Sequence, residues 1–152
     1  MKVLKLIVNT KSERYPILIG SNLLPNISKI FRQYKITFQK CLLIIDKNIP
    51  AKNISVIKKN LINKNIFLYK FNATEKNKNQ KSIDKILEIL LKKNFSRQDC
   101  IISIGGGITG DISGYAASLF KRGLQFVNIP STLLAQVDSS IGGKTGINTS
   151  YG

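Results

Sequence analysis

The chain has 152 residues, with 24 Lys and Arg against 8 Asp and Glu, a formal net charge of +16, 2 Cys, and neither His nor Trp. That length suits one domain with a packed core, and the 43% hydrophobic content argues against a disordered chain. Without His there is no imidazole base, no His-containing triad and no metal site with His ligands; two Cys cannot build a zinc cluster or a dense disulfide framework.

In chain order, Lys2–Thr10 and Tyr15–Gly20 read as short strands around a polar turn at Lys11–Arg14. Ser21 is placed to cap a helix running to about Tyr34, with Leu24, Ile27, Ile30 and Phe31 on one face and Pro25 in the first turn. Cys41–Ile45 is a buried strand ending at Asp46, followed by a helix over Ala51–Asn63 and a strand over Ile66–Phe71. Asn72–Gln80 is a polar loop. Ser82 then caps a helix in which Ile83, Ile86, Leu87, Leu90 and Leu91 recur at helical spacing. Ile101–Ile104 is a strand, Gly110–Phe120 a helix, Gln125–Pro130 a strand and Leu133–Gln136 a short helix.

Strands alternate with helices from Cys41 onward, and the strands are near-continuous apolar runs. That pattern predicts an α/β fold: a Rossmann-like parallel sheet with helices on both faces, preceded by a short N-terminal strand pair. Ligands of such sheets sit at the carboxyl ends of the strands, here Asp46, Asn72–Lys78, Gly105–Asp111 and Ser131–Thr132.

The charge has a bland explanation. Ile, Lys and Asn make up 58 residues, and their codons are rich in A and T, so a genomic bias produces this composition without a selected partner. Residues 1–93 carry a net +15 and residues 94–152 a net +1. The Lys are scattered singly, not interleaved with aromatics as on a nucleic-acid platform. The competing reading, a polyanion-binding surface, predicts DNA binding that falls steeply with salt. No run approaches the ~20 apolar residues of a membrane span. The N-terminus lacks the continuous apolar core and small-residue cleavage site of a signal peptide. Cys41 and Cys100 each head an apolar run and read as buried free thiols in a reducing compartment.

Gly105-Gly-Gly-Ile-Thr-Gly110 fits Gly-x-Gly-x-x-Gly between a strand and a helix. There, glycine lets the backbone approach a pyrophosphate whose charge meets the helix N-terminus. No acid follows about 20 residues later to hold a ribose, and a glycine-rich packing turn is the alternative. Asp111 is read either as a helix-start acid favourable to the dipole or as a hydroxyl ligand. Ile141-Gly-Gly-Lys-Thr145 is not a P-loop, because Asp138 stands where the first glycine is required. Lys144 remains a candidate anion clamp, since residues 123–143 hold no other basic side chain. Glu75 and Lys78 form a loop pair at a strand end, and Asp46 is either a ribose ligand or a turn-forming acid.

Gly105-Gly-Gly-Ile-Thr-Gly-Asp111, Lys121-Arg-Gly123, Pro130-Ser-Thr-Leu-Leu134 and Gln136-Val-Asp-Ser-Ser-Ile-Gly-Gly-Lys-Thr145 together resemble 3-dehydroquinate synthase, closely from Arg97 to Asn148 and weakly over residues 1–65. The resemblance implies a cytoplasmic shikimate-pathway lyase, homodimeric when full length, that binds NAD and a divalent metal, zinc or cobalt. It would convert the small-molecule phosphate ester DAHP to 3-dehydroquinate and phosphate on the route to chorismate and the aromatic amino acids. By the same resemblance, Asp46, Glu75, Lys78, Gly106, Gly107, Ile108, Thr109, Gly110, Asp111, Ser131, Thr132 and Lys144 would hold the cofactor. Lys144, Asp138 and Arg122 would serve the chemistry, Arg122 reaching the substrate phosphate across a dimer interface.

Three departures accompany the likeness. Ala73-Thr74 stand where the family has Asp-Gly, and Ser131-Thr132 replace a Thr-Thr pair. The family also has a second, helical domain that supplies a Glu and two His as metal ligands, whereas this chain stops at Gly152 and has no His. Residues 1–152 therefore read as the N-terminal NAD-binding domain of a truncated synthase, inactive alone. The alternatives are a non-catalytic NAD-binding remnant and a sister sugar-phosphate cyclase.

Overall fold

The computed structural model describes residues 3–10 and 14–151, so most of the expected Lys11–Arg14 turn lies outside the described residues. Strands β1 (Leu4–Asn9) and β2 (Arg14–Ile19) pair antiparallel as a separate two-stranded sheet. Helix α1 (Ile27–Gln33), strand β3 (Lys40–Asp46), helix α2 (Ala51–Asn60) and strand β4 (Asn65–Phe71) follow. The second half is helix α3 (Gln80–Lys92), strand β5 (Cys100–Gly105), helix α4 (Gly107–Leu119) and strand β6 (Gln125–Pro130), then a turn of π-helix over Ala135–Ser139. Strands β3 to β6 form a four-stranded parallel sheet in the order β4-β3-β5-β6.

The period of two along β3 builds both sides of the sheet. Leu42 and Ile44 enter one apolar cluster with Ile83, Ile86 and Leu90 of α3 and Ile112 and Ala116 of α4. Cys41, Leu43 and Ile45 enter the other with Ile27 and Phe31 of α1 and Ile57 of α2. Each such Leu, Ile or Phe side chain stabilises the fold by about 1.5–3 kcal/mol before entropy. The expected fold class is the observed one: helices cover both faces of a parallel sheet, and a strand pair precedes it.

Several boundaries differ from expectation, each for a local reason. Ser21 does not open α1; it lies in a turn, a 3-10 turn over Leu24–Asn26 carries Pro25, and α1 starts at Ile27. The cap of α3 is Asn79, whose side chain accepts from the Ser82 amide at 3.1 Å, while the Ser82 hydroxyl donates to Asn77 O at 2.7 Å. Helix α4 starts at Gly107, not Gly110, because Gly106 takes the extended backbone of a cap (φ −76°, ψ −172°). No helix among the described residues is long and apolar enough to cross a membrane.

Candidate functional site

The carboxyl edge of the parallel sheet brings Asp46, Gly105 and Ser131 into one row. Asp46 lies one step beyond the Ile45↔Ile104 pair, and Ser131 N donates to Gly105 O at 2.8 Å. Asp46 is half-buried and accepts from the Asn48 amide through Oδ1 at 2.9 Å, the turn-forming geometry open to an Asp at a strand end.

The glycine-rich turn divides its work by position. Gly105 closes β5 against Thr109, where an added Cβ would lie 2.5 Å from Oγ1 and 2.6 Å from the threonine Cβ. Gly110 lies in α4 against Asn128 of β6, where an added Cβ would lie 3.2 Å from Nδ2. Gly106, by contrast, has its nearest such atoms on Thr132, at 3.5 Å and 3.6 Å. No side chain caps α4, so its leading amides keep unspent donor capacity at the positive end of the helix. That is the chemistry of an anion seat. Ile108 lies half-buried in this first turn. Thr109 is fully buried with its side chain against Gly105, and its hydroxyl, like those of Ser103 and Ser113, has no hydrogen-bond partner among the described residues.

Lys78 and Asp111 meet here. Lys78 Nζ lies 2.6 Å from Asp111 Oδ2, with both side chains mostly buried. Asp111 lies beyond the first turn of α4 and does not cap it. Glu75, in a 3-10 turn after β4, accepts from Asn148 Nδ2 at 2.7 Å through Oε1, and Asn148 N donates to Lys78 O at 2.7 Å. Glu75, Lys78 and Asn148 line one shallow open groove with Asn79 and Gln80. Thr132 Oγ1 accepts from the Ala135 amide at 3.2 Å and turns the chain after β6. Asp138 and Lys144 follow in that segment, both exposed.

Arg122 is placed elsewhere. It lies past the far end of α4 in a left-handed turn with Lys121 and Gly123 (φ 71°, 46° and 111°). Helix α4 has 13 residues and so separates Arg122 from the glycine-rich turn by roughly 20 Å. Sequence reasoning missed Tyr15, Asn128, Ser139 and Asn148, which touch the site through contacts between distant segments. The hydrogen bond from Asn148 to Glu75 spans 73 residues, a separation with no periodic signal.

Electrostatics away from this edge serve the fold. Burial works to raise the Asp99 carboxyl. The amides of Ser96 and Lys40, the Ser96 hydroxyl and the Lys40 charge outweigh it and hold the group below the usual Asp range. Cys41 and Cys100 are free and fully buried, as expected, and burial pushes the Cys41 thiol up to about 12. No cluster of His, Cys, Asp or Glu able to hold a metal occurs among the described residues.

Solved structures share this architecture. A 2-deoxy-scyllo-inosose synthase complexed with carbaglucose-6-phosphate, NAD+ and Co2+ superposes with a TM-score of 0.87 at 21% identity, over 98% of this chain and 41% of its own. The 2-epi-5-epi-valiolone synthase from Streptomyces hygroscopicus subsp. jinggangensis 5008, with NAD+ and Zn2+ bound, gives 0.78 at 25% identity, over 95% and 40%. Fold and glycine-rich turn thus define a Rossmann-like α/β domain of the kind seen in these synthases. The family model for the 3-dehydroquinate synthase N-terminal region matches residues 68–152. The 3-dehydroquinate synthase of Pelagibacter ubique (strain HTCC1062) is 59% identical over all of this chain, which spans 41% of that protein. That of Alkaliphilus metalliredigens (strain QYMF) is 40% identical over 97% of this chain and 40% of its own length. The chain belongs to the 3-dehydroquinate synthase family.

Proposed function

We propose that residues 1–152 are the NAD-binding domain of a 3-dehydroquinate synthase, the lyase that turns DAHP into 3-dehydroquinate and phosphate in aromatic amino acid biosynthesis. The observation that carries this is the convergence, in a chain of this family, of the uncapped N-terminus of α4 with the Lys78–Asp111 pair and the Lys144 segment. These residues fit a dinucleotide. Gly106 carries no side chain beside Thr132, where a Cβ would sit in ordinary contact, and the leading amides of α4 await an anion. Gly106, Gly107, Ile108, Thr109 and Gly110 would form the pyrophosphate seat, with Asp111, Asp46, Ser131 and Thr132 as ribose-side polar groups and Glu75 and Lys78 flanking.

NAD supplies a transient two-electron oxidation of a substrate alcohol when bound. This chain's own residues then bind and orient. Lys78 offsets the Asp111 charge, which would otherwise repel the pyrophosphate. Lys144 and Asp138 lie on the segment leaving β6 and would face substrate, Lys144 as a fixed positive charge. Arg122 is too far from the glycine-rich turn to serve the same site, so in a homodimer it would serve the partner's. A divalent metal, zinc or cobalt, is part of the proposal for the whole enzyme but does not fit these residues; its ligands would belong to a second, helical domain. Leu133, Leu134 and Val137 are 75%, 71% and 64% exposed, an apolar face on which that domain would pack. A cytoplasmic location goes with this reading.

Isothermal titration of the 152-residue chain with NAD tests the cofactor assignment. Saturable one-to-one binding that is lost in Gly106→Val is expected; no binding by the unsubstituted chain overturns it. Phosphate release from DAHP is expected to be absent for this chain alone, and turnover by it would overturn the assignment of metal ligands to a second domain.

A further inference from the structure

Lys144 lies on a coil from Gly142 to Asn148 that has no secondary structure of its own. It begins with two left-handed glycines, Gly142 (φ 97°) and Gly143 (φ 71°), a start that permits many conformations. Yet the coil is held along its length. At one end Gly142 N donates to the Tyr15 hydroxyl at 3.1 Å. In the middle the Thr145 methyl sits over Gly114 of α4, where an added Cβ would come within 2.7 Å of it. Ile147 packs against the core cluster under α3 and α4. At the other end Asn148 makes both of its bonds to the Glu75–Lys78 loop, at 2.7 Å each.

We infer that Tyr15 and Asn148 are positioning residues that clamp the 142–148 strap, and through it fix Lys144 relative to the Lys78–Asp111 pair. This rests on the reading of Lys144 as a cofactor and substrate contact. It also gives the N-terminal hairpin a task. The β1–β2 pair is separate from the parallel sheet, but Tyr15 on β2 reaches a backbone amide 127 residues away in the strap. Neither residue needs to touch ligand. A loose strap would let Lys144 sample positions away from the anion, and binding would bear the ordering entropy that the clamps remove beforehand.

The test uses amide exchange, followed by NMR, on the 152-residue chain and on its Tyr15→Phe, Asn148→Asp and Asn148→Asp/Glu75→Gln variants. Tyr15→Phe removes only the acceptor for Gly142. Asn148→Asp removes a donor and sets two carboxylates together, and the added Glu75→Gln reverses donor and acceptor. Exchange at Gly142–Asn148 is expected to quicken about tenfold in each single variant, the scale of one net hydrogen bond, while β5 amides keep their protection. The reciprocal pair is expected to restore the strap. NAD affinity and the NAD-induced shift at Lys144 are expected to fall about tenfold in Tyr15→Phe with thermal stability of the sheet retained.

Unchanged strap exchange in both single variants overturns the clamps. A loosened strap with unaltered NAD affinity and unaltered Lys144 response overturns the positioning role. Absence of NAD binding by the unsubstituted chain sinks the cofactor assignment instead, and exchange alone then settles whether the strap is clamped.

Discussion

Lys78 Nζ closes on Asp111 Oδ2 at 2.6 Å, joining the loop after β4 to the second turn of α4. The pair is mostly buried, so desolvation of both groups offsets much of their attraction, and removing one partner, which strands the other charge, costs more than the intact pair contributes. Its consequence for an anion at the α4 N-terminus is asymmetric. Lys78→Met leaves an uncompensated carboxylate facing a pyrophosphate, whereas Asp111→Asn leaves a helpful cation. NAD affinity is expected to fall at least about tenfold in Lys78→Met, less in Asp111→Asn, and to recover partly in the double variant. A calorimetric double-mutant cycle reads this directly. Equal losses that simply add would show that the two side chains act independently.

Adjacent glycines should separate folding from binding. Gly105→Ala drives a methyl into the Thr109 side chain and is expected to cost about 1–3 kcal/mol of stability. Gly106→Ala meets nothing closer than 3.5 Å and keeps an ordinary φ of −76°, so its unfolding midpoint in urea should be nearly that of the parent. The same methyl stands on the proposed pyrophosphate approach, so Gly106→Ala is expected to fold and lose NAD affinity. A Gly106→Ala chain with full affinity would place the pyrophosphate elsewhere.

Asp99 predicts the acid limb of stability. Its folded pKa lies below the unfolded one, so its contribution is present above the usual Asp range and is lost as pH falls through the folded value. Asp99→Asn replaces an acceptor-only carboxylate that serves Lys40 N, Ser96 N and the Ser96 hydroxyl, and is expected to cost about 1–3 kcal/mol near neutrality. The gap between variant and parent should shrink on acidification. Urea melts between neutral pH and pH 3 measure it, and a gap independent of pH would remove the charge from the account.

Cys41 and Cys100 lie side by side in register on β3 and β5, both with no exposed surface. Burial raises both thiols, Cys41 to about 12, so neither forms a thiolate at neutral pH. Ellman's reagent is expected to label neither until the sheet opens, with a labelling rate equal to the unfolding rate. Fast labelling of either in native buffer would mean that this part of the sheet opens locally.

The apolar runs of β3 and β5 and the stripe on α3 fixed the sheet and its helical cover, because burial on both faces requires a period that any single segment displays. Helix starts were less legible. Asn79 rather than Ser82 caps α3, and Gly106 rather than Gly110 ends the loop before α4, because several adjacent polar or glycine residues compete for one cap and only the fixed entry angle of the chain selects among them. Gly106, Lys78 and Asp111 were visible as chemistry at strand ends, since parallel sheets expose their ligand edge there. That Lys78 meets Asp111, that Asn148 reaches Glu75 and that Tyr15 holds Gly142, only the tertiary structure decided. Those relations join segments far apart in the chain. Their geometry follows from how α4 and the strap pack on the finished sheet, and no local period or propensity encodes it.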